Sequence, residues 1–326
     1  MRMELTKAAP RPLEPSPHAR NADFTEAVLA GLSLKQKAIP CRFLYDRRGS
    51  ELFEEITDLP EYYQTRAEVE ILTTNAADIV ANVSDGAALV EFGSGSSRKT
   101  ELIIEALAKL RLYIPIDVST SALEGARERL AQKFPALTVI PIVADFSKPV
   151  RYPTALSSVA KFGFFPGSTI GNLAPAEAVQ FLRILKSSLS EHSRLVVGVD
   201  LKKETGKLVR AYNDAAGVTA EFNINLLQRI NREIGDAFDI STFQHQAIYD
   251  PVQGRIEMHL FSLVDQDIKL LGRSFPMRRG ESIHTENSYK YTVEEFRELA
   301  RKSGWAAVRT WTDDQKLFSV HELVAE

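Results

Sequence analysis

Between residues 87 and 201 the apolar positions switch repeatedly between unbroken runs and a helical period. The run Ala87-Ala88-Leu89-Val90 leads into the turn FGSGSSRKT, after which TELIIEALAKL, RLYIPIDVS, TSALEGARERLAQKF and LTVIPIVADF read as helix, strand, helix and strand. KFGFFPGS and SRLVVGVDL are two further apolar strands, separated by the helical AEAVQFLRILKSSLS. Apolar strands alternating with amphipathic helices predict parallel strands with helical crossovers, an α/β protein built on an open, doubly wound, Rossmann-like sheet. In such a sheet the ligand lies beyond the carboxyl ends of the strands, where Gly93, Gly95, Asp117, Asp145 and the turn at 166–172 gather.

The flanks have a different pattern. Residues 202–235 are helical by period, and FQHQAIYD and RIEMHLFSLVDQ read as strands joined through PVQG, a hairpin signal. TVEEFRELARKSG predicts an amphipathic helix opened by Thr292 with glutamates in its first turn; AAVRTWTDD and LFSVHELV then suit an antiparallel edge on the sheet. Residues 20–62 contain helical stretches and are expected to pack with the insert as an α+β lid. The expected division is a mobile leader over 1–20, a substrate lobe from 21–62 and 202–287, and a cofactor-binding sheet domain from 63–201 and 288–326.

Composition narrows the class. With 326 residues, 44% of them apolar, the chain can bury a sizeable core and more than one lobe. A formal charge of −3 supplies no global positive field for nucleic acid, so a small polar partner is expected. The single cysteine, Cys41, has no intrachain disulfide partner, and the six histidines show no paired metal spacing. His259 and His284 in particular read as ordinary residues without an acidic partner at ligand spacing, and no metal is expected. No apolar stretch approaches the roughly 20 residues of a membrane span, and MRMELTKAAPRPLEPSPHAR carries charges and prolines where a signal peptide would have an apolar segment. These features lead to the expectation of a cytoplasmic monomer without a membrane or nucleic-acid partner.

The glycine turn limits the ligand. Arg98 stands where a dinucleotide fingerprint has its third glycine, and no glycine directly precedes Lys99 as a Walker loop requires. A G-S-G turn still lets the backbone approach a ligand closely, and Asp117, ending the next strand, can accept two hydrogen bonds from a ribose diol. An adenosine carrying an amino-acid tail, S-adenosylmethionine, suits this loop better than a pyrophosphate. Asp145 is placed for the adenine amino group and Phe146 for the adenine face. The plainer account makes the glycines a strand-to-helix turn and the aspartates helix caps, a coincidence less expected when they recur at successive strand ends. By spacing alone Lys99 is a solvated first-turn residue, although a lysine there also reaches a ligand carboxylate. Tyr62, Tyr63 and Tyr212 are by default packing residues. Glu286 and Ser288 alternate in TENSYKY and would share one strand face, by default a solvated one.

Taken together, FLYDRRGSELFEEITDLPEYYQTRAE, VEFGSGSSRKT, FFPGSTIGNL, VRAYNDAAGVTAEFN, RIEMHL and TENSYKY resemble the histidine-specific Nα-methyltransferases that make hercynine for ergothioneine biosynthesis. The likeness runs from about residue 42 to 291. It implies a class I methyltransferase sheet that binds S-adenosylmethionine, with L-histidine held between the sheet and a second lobe. On that likeness, Asn172 and Tyr212 would meet the substrate carboxylate, Tyr45 and Tyr62 would lie near the amino group as the catalytic pair, and Glu286, Ser288 and Met258 would surround the imidazole. Gly93, Lys99, Asp117, Asp145 and Phe146 would hold the cofactor. A related enzyme acting on another amino acid, such as tryptophan, would be expected to replace Met258 and Glu286, and a third reading is a silent cofactor-binding module.

Overall fold

The computed structural model describes residues 17–95, 97–107, 109–189 and 193–326. Of the leader expected over 1–20, residues 1–16 lie outside the described residues, and helix α1 (Pro17–Leu32) already begins at Pro17. A short strand, β1 (Lys37–Ala38), and a 3-10 turn (Cys41–Leu44) lead to α2 (Arg47–Thr57) and α3 (Tyr63–Val80). Asp46 opens α2 by accepting the Gly49 N–H at 2.8 Å.

The expected alternation follows: β2 (Ala88–Phe92), α4 (Arg98–Ala106), β3 (Leu112–Asp117), α5 (Thr120–Lys133), β4 (Thr138–Val139), β5 (Ile142–Val143), β6 (Lys161–Phe165), α6 (Pro175–Leu189) and β7 (Arg194–Asp200). LTVIPIVADF is not one strand but two. Pro141, which has no N–H to give a ladder, separates β4 from β5, and both pair with β3. The segment read as one helix over 202–235 is likewise two, α7 (Thr205–Ala211) and α8 (Val218–Glu233). Asp214 restarts the helix by accepting the N–H groups of Val218 and Thr219 at 3.0 and 2.8 Å.

β8 (Phe243–Asp250) and β9 (Arg255–Ser262) form the anticipated hairpin, and β10 (Gln266–Leu270) and β11 (Arg273–Met277) a second one that the residue pattern did not suggest. β12 (Ser282–Tyr289), α9 (Val293–Lys302), β13 (Trp305–Thr312) and β14 (Phe318–Ala325) complete the chain. Thr292 caps α9 in a reciprocal box with Glu295.

The strands from β2 to β7, with β13 and β14, make an eight-stranded sheet ordered β13-β14-β7-β6-β2-β3-β4, in which β5 also pairs with β3. All neighbours are parallel except β14 against β7 and β13 against β14, the antiparallel edge. The chain order reverses beside β2, where a doubly wound sheet opens a crevice at its strand ends. One core lies on either face: Val90, Phe165, Phe181 and Phe296 on the α6–α9 side, and Leu89, Tyr113, Ile71 and Phe318 on the α3–α4 side.

A second, four-stranded sheet is ordered β1-β12-β9-β8. Its core joins Phe24, Leu44 and Leu52 with Leu208, Leu226, Leu260 and Ile283. β12 serves both cores, because Ile283 packs in this one while Tyr289 packs under the large sheet. No helix among the described residues is long and apolar enough to cross a membrane.

Candidate active site

Where β6 and β7 end against β12, one cavity of about 510 Å³, counting its open mouth, is lined by Tyr45, Tyr62, Asn172, Tyr212, Met258, Glu286 and Ser288. Every residue singled out for the substrate and the amino group is therefore on one wall or another of a single space. They arrive on six different supports, Glu286 and Ser288 sharing β12. Tyr45 follows the 3-10 turn, Tyr62 precedes α3, and Tyr212 ends α7. Asn172 closes another 3-10 turn (Thr169–Asn172), which Gly167 and Ser168 enter with φ of 82° and 57°.

Met258 and Glu286 are cross-strand partners of β9 and β12. On a regular strand Glu286 and Ser288 would share a face with His284. The register slips between His284 and Glu286, and this bulge turns Glu286 and Ser288 to the buried side that Ile283 already occupies. Gly171 lets the Asn172 turn lie directly on β12: a Cβ there would come within 2.8 Å of the Tyr289 carbonyl oxygen. Gly171→Ala is therefore expected to lift Asn172 away from Ser288 and lower kcat/KM at least about tenfold, with cofactor affinity retained. Steady-state kinetics beside a cofactor titration checks this.

In the cavity wall the Tyr212 and Ser288 hydroxyls bond each other, whereas the Glu286 carboxyl is left unsatisfied. Glu286 is 8% exposed, its Oε2 has no hydrogen-bond partner, and burial pushes its carboxyl up to about 7 against the pull of Lys290. Burial also raises the hydroxyls of Tyr45 and Tyr62 well above the ordinary tyrosine range, so both stay protonated near neutrality. Aromatic rings close the walls edge to face, with Tyr45 at 5.5 Å from Phe53 and 5.4 Å from Phe222, and Tyr62 at 6.1 Å from Tyr212.

At the crevice beside β2, Gly93 and Gly95 take φ of 69° and 47°. The Gly95 N–H donates to Asp117 Oδ2 at 3.0 Å, while Asp117 Oδ1 accepts from the Ser119 N–H at 2.9 Å. Burial raises the Asp117 carboxyl despite these donors. A Cβ on Gly95 would meet nothing within 4 Å, so the turn leaves open space above its backbone, and Gly93 lies under the edge of Phe146. Phe146 rests edge to face on Phe165 and Phe181, and exposed Asp145 accepts the Ser147 N–H. A bare backbone turn with a carboxylate at its mouth and an aromatic beside it fits a nucleoside carrying an amino-acid tail. Lys99 donates to Glu68 at 2.6 Å and stands close to Gly167, at the junction between this crevice and the cavity.

Several residues of the site escaped the reading of the sequence. Glu68, 1% exposed on α3, accepts from Lys99 and from the Gly167 N–H, tying α3 to both turns. Gln64, one helical turn earlier, is 2% exposed, and its amide faces the Tyr212 hydroxyl without closing a hydrogen bond of good geometry. Glu91 and Tyr113 form a hydrogen-bonded pair under the glycine turn, and the Tyr113 hydroxyl also meets Ser97 at 2.8 Å, steadying its φ of 54°. The available signal for Glu68 was its place beside Ala67, Ile71 and Leu72 on the apolar face of α3, four residues after Gln64.

His259 and His284 do have an acidic neighbour, contrary to the spacing argument. Glu257 Oε2 lies 2.9 Å from His259 Nε2, and His284 stacks on His259 at 4.7 Å across the strand pair. The cluster is satisfied internally: Arg255 donates to Glu257 Oε1, Ser282 meets His259 Nδ1, and His284 Nε2 meets the Glu286 carbonyl.

This strand order, its antiparallel edge and the glycine turn joined to Asp117 define a class I methyltransferase that uses S-adenosylmethionine. The chain belongs to the S-adenosylmethionine-dependent histidine-specific methyltransferase family, whose model matches residues 24–325. It is 39% identical over 295 residues to the histidine N-alpha-methyltransferase of Mycolicibacterium smegmatis, covering 88% of this chain and 90% of that one. The protein of the same name from Mycobacterium tuberculosis is 38% identical over 296 residues, with the same coverage. Ergothioneine biosynthesis protein 1 of Neurospora crassa is 31% identical over 284 residues, 85% of this chain but 32% of that protein.

Proposed function

We propose that the protein transfers methyl groups from S-adenosylmethionine to the α-amino nitrogen of free L-histidine, three in succession to give hercynine, as the first step of ergothioneine biosynthesis. The observation that carries the reading is the buried, unpaired Glu286 carboxylate beside Ser288, at one end of a cavity that bears Asn172 and Tyr212 as well. Glu286 and Ser288 engage the two ring nitrogens; Asn172 and Tyr212 take the carboxylate. A phenyl or aliphatic side chain would leave Glu286 buried without a partner, which costs far more than a lost contact. Met258 packs beside the ring.

When bound, the cofactor supplies an electrophilic methyl group on a sulfonium. Gly93, Gly95, Asp117, Asp145 and Phe146 hold its nucleoside, and Lys99 its carboxylate. The protein's own task is alignment. Tyr45 and Tyr62, kept protonated by burial, orient the amino nitrogen through their oxygen lone pairs and do not act as anionic bases. Each methylation removes an N–H donor, and the aromatic wall of Tyr45, Tyr62 and Phe222 tolerates the resulting trimethylammonium.

The substrate lobe comprises residues 21–62 and 202–287 and the cofactor domain 63–201 and 288–326, a division supported by the separate cores, with β12 as the strand they share. The enzyme works as a cytoplasmic monomer. Incubating the protein with S-adenosylmethionine and each amino acid, followed by mass spectrometry, tests the reading. Histidine gaining three methyl groups is expected; no gain on histidine refutes it.

A further inference from the structure

We propose that Lys290 is the positioning and specificity-determining residue of the cavity: it pins the Tyr212 and Ser288 hydroxyls as a pair with one proton to spare. Recognition of the ligand's carboxylate is thereby coupled to recognition of its ring. The inference rests on the reading of the cavity as an amino-acid site.

Lys290 follows β12, and its side chain has no exposed surface. Its ammonium lies 2.7 Å from Asp200 Oδ2, 2.7 Å from Ser288 Oγ and 2.9 Å from Tyr212 Oη. Three protons meet three acceptors, so the ammonium has nothing further to donate. Asp200 is itself fixed from the other side, by the Tyr63 hydroxyl at 2.9 Å and Lys203 at 2.5 Å. The Tyr212 and Ser288 oxygens are 2.7 Å apart, which places one of their two hydroxyl protons between them. One hydroxyl proton remains for the cavity.

A ligand carboxylate can only accept, and it draws that proton to Tyr212. Ser288 then donates to Tyr212 and faces the ring with a lone pair. Glu286, when ionised, is also an acceptor. Two acceptors toward one ring require a proton at both positions. A ring with two nitrogens meets this by carrying one extra proton, shared with Glu286. An indole has a single N–H and a thienyl ring none. Without Lys290 both hydroxyls are free to rotate, each can donate, and the requirement lapses.

The test is calorimetric binding of L-histidine and of β-(2-thienyl)-L-alanine to the full chain with S-adenosylhomocysteine present, in wild type and Lys290→Met. Both ligands lose grip at the carboxylate end, but the preference for histidine is expected to fall at least about tenfold. Equal losses on both ligands, with the preference unchanged, would mark Lys290 as merely structural and overturn the proposal. Should Lys290→Met fail to fold, the set Tyr212→Phe, Ser288→Ala and the double variant decides with Lys290 in place. A shared proton makes their effects on histidine binding non-additive by at least about fivefold, and additive effects overturn the proposal. If the wild type neither binds nor methylates histidine, the functional reading fails and takes this inference with it. If it does both while the preference survives Lys290→Met, only the inference fails.

Discussion

Replacing Glu286 by glutamine yields a protein more stable at pH 8 than the wild type, and replacing it by alanine yields an enzyme that no longer prefers histidine. The carboxyl is 8% exposed, with one oxygen unpartnered, and ionises only near 7 instead of 4.5 because burial penalises its charge more than Lys290 favours it. In the unfolded chain the same group ionises near 4.5. Between those two values the folded state keeps a proton that the unfolded state has released, so stability falls as pH rises through that window. Above pH 7 the full cost is present, about 3 kcal/mol at roughly 1.4 kcal/mol per unit. Glutamine keeps the shape and removes the titration. Denaturant melts of wild type and Glu286→Gln should coincide near pH 4 and diverge to about 3 kcal/mol at pH 8; coincidence at pH 8 would mean the carboxylate is solvated. In Glu286→Ala, kcat/KM for histidine should fall at least about a hundredfold while that for an apolar aromatic amino acid changes little, measured by competition between the two. A folding cost retained at a cavity wall is what a residue kept for its ligand looks like.

The large sheet was legible because its strands and helices carry opposite periods, and the edge hairpin because a short turn joins two strand patterns. The failures have particular causes. Pro141 interrupts a run whose apolar residues alone suggest one strand, and Asp214 restarts a helix inside a continuous helical period. The face shared by Glu286 and Ser288 followed from alternation, but its being buried did not. That depends on the bulge after His284, which no local residue type announces. Lys290 sits in the same TENSYKY stretch, but nothing local marks it, because its partner Asp200 ends a strand of the other sheet. Glu257, His259 and His284 illustrate the same limit, since cross-strand register and not linear spacing makes them neighbours.

Asp200→Ala is expected to be among the most damaging single substitutions in the chain, and Lys203→Met among the mildest at a buried charge. Asp200 has no exposed surface and is the shared anion of two ammonium groups, Lys290 at 2.7 Å and Lys203 at 2.5 Å. Burial opposes its charge, yet the two lysines hold its carboxyl below the ordinary range. Removing it leaves two cations facing each other without a counter-ion, a loss of about 3–5 kcal/mol and a fall in Tm on the order of 10 °C. Lys203 stands differently. Burial outweighs its attraction to Asp200 and lowers it from 10.5 to about 8, so its charge is a net cost to folding at neutral pH. Taking Lys203 away leaves Asp200 paired with Lys290, a neutral couple, and methionine fills similar space. Lys203→Met is therefore expected to match or exceed the wild type in thermal melts at pH 7. Because the folded state releases the Lys203 proton near 8 and the unfolded state near 10.5, wild-type stability should rise with pH across that interval. That rise should be absent in Lys203→Met, and a variant that retains it would show that another group titrates there.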